Sequence, residues 1–433
     1  MASIKIAYIG GGSTRAPGTM ASLIDQGENF AGSEVVLIDL DAERLAVVEK
    51  IARGMARARG LDLRTTATTD RRAGLQDCDA VLTSFRPGGF EARHIDESVP
   101  LKHGLIGQET QGAGGFFMAL RSLAVMQGVV EDMQASCPGA RLFNYTNPIN
   151  IVSEAVCRYT DIPTVSLCEG PITFPQGIAR AAGLDPDRMD AVMIGLNHAC
   201  WSVRNLYDGE DMLPLVREAH ERRRAETDGR GDDARLLELA AAMDSLPASY
   251  FKYYYYRDEV LAELQAKPTT RAQDILASSP AYWRHYREQA ESPEPVLDPA
   301  LSRGGIHELE LALDVMDAVY NDRGEVWPVN VPNRGSISDL PDGLVVEVQG
   351  YVDAAGVQPL AHGALPPQVA GLVKMLGEYQ YLAARAGWCG TRRDAIQALA
   401  SNPLVLSVRK AEAVYDEMAG LHREYLPERL LHD

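Results

Sequence analysis

The sequence predicts an α/β fold: a Rossmann-like parallel-sheet domain over residues 1–194, followed by a mixed α+β domain over residues 195–433. Three observations carry that expectation. First, the N-terminus runs apolar stretch, glycine turn, helix-forming segment, second apolar stretch and acid within about 40 residues. Second, short apolar runs (Ala80–Ser84, Arg141–Tyr145, Pro163–Leu167, Ala191–Leu196) recur between segments of helical character. Third, beyond Asn205 the composition shifts to charged, tyrosine-rich and turn-rich stretches.

A chain of 433 residues is too long for one core and agrees with two domains. Its formal net charge of −18 disfavours nucleic acid or an anionic membrane as partner. A small phosphorylated substrate stays admissible, because a local arginine cluster inverts the field inside one cleft. The six cysteines form no CxxC pair or framework spacing, so reduced thiols in the cytoplasm are expected. MASIKIAYIGGG enters a strand at once, without signal-peptide architecture, and no apolar run approaches the roughly 18 residues of a membrane span.

Taken in order, Ile4–Ile9 reads as a buried strand leading into Gly10, Gly11, Gly12, Ser13 and Thr14. Helical character begins at Ala21, and Glu34–Ile38 is a second strand ending in Asp39. Glycines let backbone approach a pyrophosphate, a helix N-terminus offers free N–H groups, and the carboxylate takes ribose hydroxyls. Arg15 stands where the third glycine of the usual pattern belongs; Asp39 favours NAD over NADP, and Arg44 weighs against that choice. Helix Ala42–Ala58 precedes the segment Leu61–Thr69 and strand Ala80–Ser84. The polar, glycine-rich passage FEARHIDESVPLKHGLIGQETQGAGGFFMALRS then reads as a site-lining loop bearing Arg93, Asp96, Glu97, Gln108, Glu109 and Thr110. Helix Ala119–Gln134 and strand Arg141–Tyr145 lead to Thr146-Asn147-Pro148. That tripeptide is a turn signal, or it places the Asn147 amide over a nicotinamide or a sugar hydroxyl.

After helix Ile151–Tyr159 come Cys168, behind the run Pro163–Leu167, and His198, behind Ala191–Leu196. Alone, each has a structural explanation, a small buried hydrophobe and a satisfied core histidine. Together, after two consecutive strands of one sheet, they suggest a sulfur and a nitrogen meeting over one divalent ion. Arg217–Arg235 is a solvated charged helix and loop. LPASYFKYYYYRDEV is amphipathic packing, with one phenol able to serve as a base beside a metal. Pro268–Trp283 supplies Arg271 and a helix; Arg303, Gly304 and Gly305 open another through Tyr320. VWPVNVPNRGSISDLPDGLVVEVQGYVDAAGVQPL reads as short antiparallel strands, and Gln368–Leu382, Arg392–Ala398 and Val405–Leu421 as helices.

Through IGGGST, ARHIDE, GQET, YTNP, SLCEGP, GLNH, SYFKYYYY, TTR, VNVPNRG and LPDGLVVEV, nearly the whole chain resembles glycoside hydrolase family 4, the NAD- and manganese-dependent glycosidases. It is most similar to the 6-phospho-β-glucosidase branch. The resemblance implies that Gly10, Gly12, Ser13 and Asp39, with Thr14 and Arg44 beside them, bind NAD, and that Cys168 and His198 hold Mn²⁺ or another divalent metal. It makes Tyr250 the catalytic base, with Tyr253 and Tyr254 close by, and gives Arg93, Asn147 and Arg271 to a small phosphorylated sugar, the two arginines to its 6-phosphate. It implies oxidation, elimination, addition and reduction on the sugar, and a homodimer or homotetramer. Glu169 departs from the family pattern, which has Asp in phospho-α-glucosidases and usually Asn in phospho-β-glucosidases. It is either the acid for the leaving group or a spectator, which leaves the anomer open. A malate- or lactate-like 2-hydroxyacid dehydrogenase shares the nucleotide domain but needs no metal cysteine. A non-enzymatic NADH sensor makes the Cys168–His198 pair accidental.

Overall fold

The N-terminal run KIAYI is buried from Ile6 onward, with Ile6 and Tyr8 facing one core and Ala7 and Ile9 the other, as befits a strand covered on both faces. It begins a computed structural model that describes residues 1–227, 231–303 and 310–432. Twelve strands form one sheet among these residues. They are β1 (Lys5–Ile9), β2 (Ser33–Ile38), β3 (Leu63–Thr68), β4 (Ala80–Thr83), β5 (Arg141–Asn144), β6 (Thr164–Ser166), β7 (Met189–Leu196), β8 (Ala199–Tyr207), β9 (Glu210–Asp211), β10 (Glu325–Pro332), β11 (Val345–Asp353) and β12 (Gly356–Pro359). The first six are parallel in the order β3-β2-β1-β4-β5-β6, with the topological switch between β1 and β4 where open α/β sheets place their ligands.

Beyond β6 the sheet turns antiparallel, in the order β10-β11-β7-β8-β9, with β12 on β11. The strands before Cys168 and His198, β6 and β7, are therefore consecutive in sequence but not neighbours. A hairpin from the far half of the chain, β10–β11, wedges between them. This hairpin also makes the sheet continuous across residues 194 and 195. One register row crosses it through Ile9, Thr83, Asn144, Ser166, Asn330, Glu347, Gly195 and Cys200.

Local signals shift some boundaries. The first helix is Ala16–Asp25, starting five residues before its apolar periodicity, since Pro17 suits a first turn. The glycine-rich passage is not one loop: it contains helix Gly89–Lys102 and the start of helix Gly112–Ser136. Gly114 is there for close approach, because a Cβ on it would lie 2.3 Å from the Asp96 carbonyl oxygen and 2.4 Å from that of Gln108. Helix Gly112–Ser136 is also long and apolar enough to cross a membrane, with a mean hydropathy of 1.4, which Arg121 hides from a search for unbroken apolar runs. That window is 78% buried inside the molecule, under helices Pro367–Cys389 and Val408–Leu421, so it is a core helix here. Gly304 and Gly305 of the expected helix lie outside the described residues; the helix is described over Glu310–Tyr320.

Candidate active site

The loops that carry the candidate residues leave the sheet one to three residues beyond the register row. Gly10 follows Ile9, Asn147 lies three after Asn144, Cys168 two after Ser166, and His198 three after Gly195. In the glycine turn, Gly10 has φ +102° and a Cβ there would sit 2.1 Å from the Ser84 carbonyl oxygen, so packing on β4 already demands glycine. The Asp39 carboxylate accepts the Gly12 N–H at 2.9 Å and the Leu40 N–H at 2.7 Å, and keeps lone pairs for a further donor. Ser13 lies beside the Tyr8 phenol. The Thr14 carbonyl accepts the Tyr286 hydroxyl at 2.9 Å, which ties the turn to helix Arg271–Ala290. Arg44 is exposed, paired with Asp41 at 3.1 Å and lying over the Trp283 ring.

Cys168 and His198 come to one place despite the strands between them. Asn197 and His198 form the two-residue turn of the β7–β8 hairpin, and His198 takes the left-handed conformation at φ +62°. The Asn197 side-chain amide lies beside the Cys168 thiol. The Tyr250 ring stacks on His198 at 3.9 Å with a 9° interplanar angle, and Phe174 packs edge-on to both. Tyr250 reaches this position because Pro247 bridges Trp201 and the Ala248 N–H bonds the Cys200 carbonyl, so that its segment pairs with β8.

The protonation states follow from the surroundings. Burial pushes the Cys168 thiol up to about 12; the nearby Glu347 and Glu169 add to this, while the Gly170 N–H (3.4 Å) and Asn197 favour its thiolate. Burial draws His198 down to about 4, against the pull of Glu109, so the ring is neutral at pH 7. The Thr110 hydroxyl donates to Gln108 Oε1 at 2.9 Å and lies 3.2 Å from His198 Nδ1. With its hydrogen used, Thr110 accepts from Nδ1–H, which leaves the Nε2 lone pair as a ligand. Tyr250 is raised above the ordinary phenol range by burial, then by Cys168, Glu109 and Tyr253, with Arg93 opposing.

Arg93 is buried, its Nε 2.7 Å from Glu97 and its Nη1 2.8 Å from Glu109. Arg86 meets the other Glu109 oxygen at 2.5 Å. Burial would raise the Glu109 carboxyl, but Arg86, Arg93 and Arg15 hold it below its ordinary value. Arg303, over the Phe90 ring at 4.4 Å, is lowered to about 9 by burial and by Arg15, Arg86 and Arg93. Four guanidiniums thus gather round the Glu109 carboxylate beside the glycine turn, Arg93 shared with Glu97, an arrangement that suits a further anion. Arg271 starts its helix one residue before Ala272, whose N–H bonds Glu97 at 2.8 Å, but its own side chain is exposed. Arg93 and the helix start that carries Arg271 therefore meet at Glu97. Asn147 precedes a cis proline, and its side-chain oxygen is buried without a hydrogen bond. Glu169 sits at the N-terminus of helix Gly170–Ala182, half-buried, where its charge reaches Cys168 and Tyr145. Tyr254 bonds Gln111 at 2.6 Å, and Tyr253 tilts against Tyr250.

Sequence reasoning passed over Asn197, Asn330, Glu347, Phe174, Arg86 and a site role for Arg303. For Asn330 and Glu347 a signal existed: each interrupts a run of valines in a strand (VNV, VEV), where a buried polar residue needs partners. The models for the family 4 glycosyl hydrolases and for their C-terminal domain match residues 5–184 and 193–405. A probable 6-phospho-β-glucosidase of Bacillus subtilis is 35% identical over 98% of both chains. The solved 6-phospho-β-glucosidase of Thermotoga maritima with NAD and glucose 6-phosphate aligns with a TM-score of 0.85 at 27% identity, over 98% of this chain and 99% of that one. A 6-phospho-α-glucosidase from gut microorganisms, with NAD and Mn²⁺, aligns at 0.86 and 26% over the same shares. Matched from the glycine turn through the β10–β11 hairpin that completes the site, the chain belongs to glycoside hydrolase family 4.

Proposed function

We propose that the protein hydrolyses 6-phospho-β-glucosides with NAD and a divalent metal, manganese foremost, as cofactors. The observation that carries this reading is the meeting of a thiol, an imidazole lone pair and a stacked phenol beside a dinucleotide-type glycine turn. Cys168 Sγ, a soft donor, and His198 Nε2, a borderline one, would hold the divalent metal, and Mn²⁺, which prefers oxygen, would need oxygen donors beside them. Among the described residues no third His, Cys, Asp or Glu joins them, so a bound ion would keep positions open for sugar oxygens and water. Gly10, Gly12, Ser13, Thr14 and Asp39 form the cradle for NAD, with Arg44 at its rim.

When bound, the metal supplies positive charge to sugar oxygens, and NAD⁺ supplies a hydride acceptor regenerated in each turnover. Tyr250, fixed over His198, takes the proton from sugar carbon 2. Arg93 and Arg271 engage the 6-phosphate, and the Asn147 amide a sugar hydroxyl. Glu169, next in sequence to Cys168, gives the proton to the departing oxygen. A cytoplasmic setting suits six cysteines that are all free, and light scattering distinguishes the expected homodimer from a homotetramer.

The test is cleavage of p-nitrophenyl 6-phospho-β-glucoside by purified protein with NAD⁺ and Mn²⁺, beside its α-anomer and the unphosphorylated sugars. Activity on the phosphorylated β-sugar that EDTA and Cys168→Ser both abolish is expected. Turnover that survives both removes the metal from the mechanism, and preference for the α-anomer reassigns the branch.

A further inference from the structure

The register row across the sheet is polar where it should be apolar. Thr83, Asn144, Ser166, Asn330 and Glu347 are each at most 1% exposed. Their side chains link in two stretches: Thr83 donates to Asn144 (2.9 Å), which donates to Ser166 (3.1 Å), and Asn330 donates to Glu347 (3.0 Å). The row therefore reaches from the nucleotide switch point to the β7–β8 hairpin. Glu347 stands at its far end, opposite Gly195 and beside the Cys200 thiol. Its Oε1 accepts the Asn197 amide at 2.9 Å as well as Asn330, while Oε2 is buried without a hydrogen bond. Among the described residues it forms no ion pair. The same Asn197 amide has a second hydrogen and lies beside the Cys168 sulfur, whose thiolate it favours.

With no counter-charge beside it among the described residues, burial pushes the Glu347 carboxyl up to about 7 against the hydrogen bonds from Asn197 and Asn330, and an amide or a valine would fill this place more cheaply. Such a group is kept where positive charge arrives next to it, as carboxylates behind metal ligands are. Glu347 does not itself reach a metal-ligand cluster, so its influence passes through Asn197. We propose that Glu347 is a positioning residue: by fixing Asn197 it sets both the Cys168 sulfur and the turn that aims His198, so that a divalent cation meets a preset sulfur–nitrogen pair. This rests on the metal reading above.

The experiment is Mn²⁺ titration of the full chain, with NAD⁺ present, followed by electron paramagnetic resonance for wild type, Glu347→Gln and Asn197→Ala. NAD⁺ affinity and the thiolate-to-metal charge-transfer band of the Co²⁺-substituted proteins are read in parallel. Both variants should bind Mn²⁺ about 10–100-fold more weakly, with NAD⁺ affinity within about twofold of wild type and a weakened Co²⁺ band. If Glu347→Gln does not fold, Asn197→Ala carries the test alone. Folded variants with wild-type Mn²⁺ affinity overturn the inference and leave the metal reading standing. Wild type that binds no Mn²⁺ overturns the metal reading, and the inference with it. A loss of NAD⁺ binding equal to the loss of Mn²⁺ binding reduces Glu347 to a general structural part and also refutes it.

Discussion

Replacing Tyr250 separates chemistry from packing. Its ring lies 3.9 Å from His198 at 9°, and Phe174 meets it edge-on at 5.9 Å, while its hydroxyl makes no hydrogen bond among the described residues. Tyr250→Phe keeps every ring contact and removes only the proton acceptor, so folding stability should move by less than about 0.5 kcal/mol. If the phenol takes the proton, kcat should fall by about 10²–10⁴-fold, or about 3–5 kcal/mol of barrier, with KM little changed. Tyr250→Ala also loses the stack, about 0.5–1.5 kcal/mol beyond its area, and about 2–3 kcal/mol of stability in all. The assay is steady-state cleavage of a chromogenic 6-phosphoglucoside with and without deuterium at carbon 2, alongside urea unfolding. The ultraviolet difference spectrum adds a check, since burial and nearby negative charge keep this phenol protonated at neutral pH until a cation arrives. A Phe variant that keeps more than about a third of kcat refutes the assignment.

Thr110→Val removes the acceptor for His198 Nδ1–H; Mn²⁺ affinity should drop about 10–100-fold, read by the same resonance titration, with the fold intact. Asp96→Asn breaks a bidentate pair with Arg121 in which both partners, and His422 against them, are fully buried. It should cost about 3–5 kcal/mol in denaturant unfolding, because an uncompensated guanidinium stays inside. In native protein one thiol, the exposed Cys389, should react quickly with a colorimetric disulfide reagent. Cys78 and Cys157, both raised to about 12 by burial, should wait for unfolding.

The order of strands and helices was legible because it rests on local signals. Apolar runs marked β1, β4 and β5, and the charged periodicity of Ala42–Ala58 gave that helix to the residue. The side chains proposed for the site, the thiol of Cys168, the imidazole of His198, the tyrosine run and Arg93, also stand in the chain as written. Spatial arrangement was not legible. That β10 and β11 separate β6 from β7 depends on pairing between residues more than 100 positions apart, which no local window contains. Glycines between 104 and 115 looked like a loop because a turn and a helix-helix contact need the same missing Cβ. The sequence by itself determined which functional groups exist and which apolar faces must be buried, since both are properties of side chains and their spacing. Only the tertiary structure decided that Glu347 lies behind Asn197, that Thr110 leaves His198 Nε2 open, and that Arg303 joins Arg86 and Arg93. Those are distances between distant segments, fixed when the whole sheet closes on its two cores.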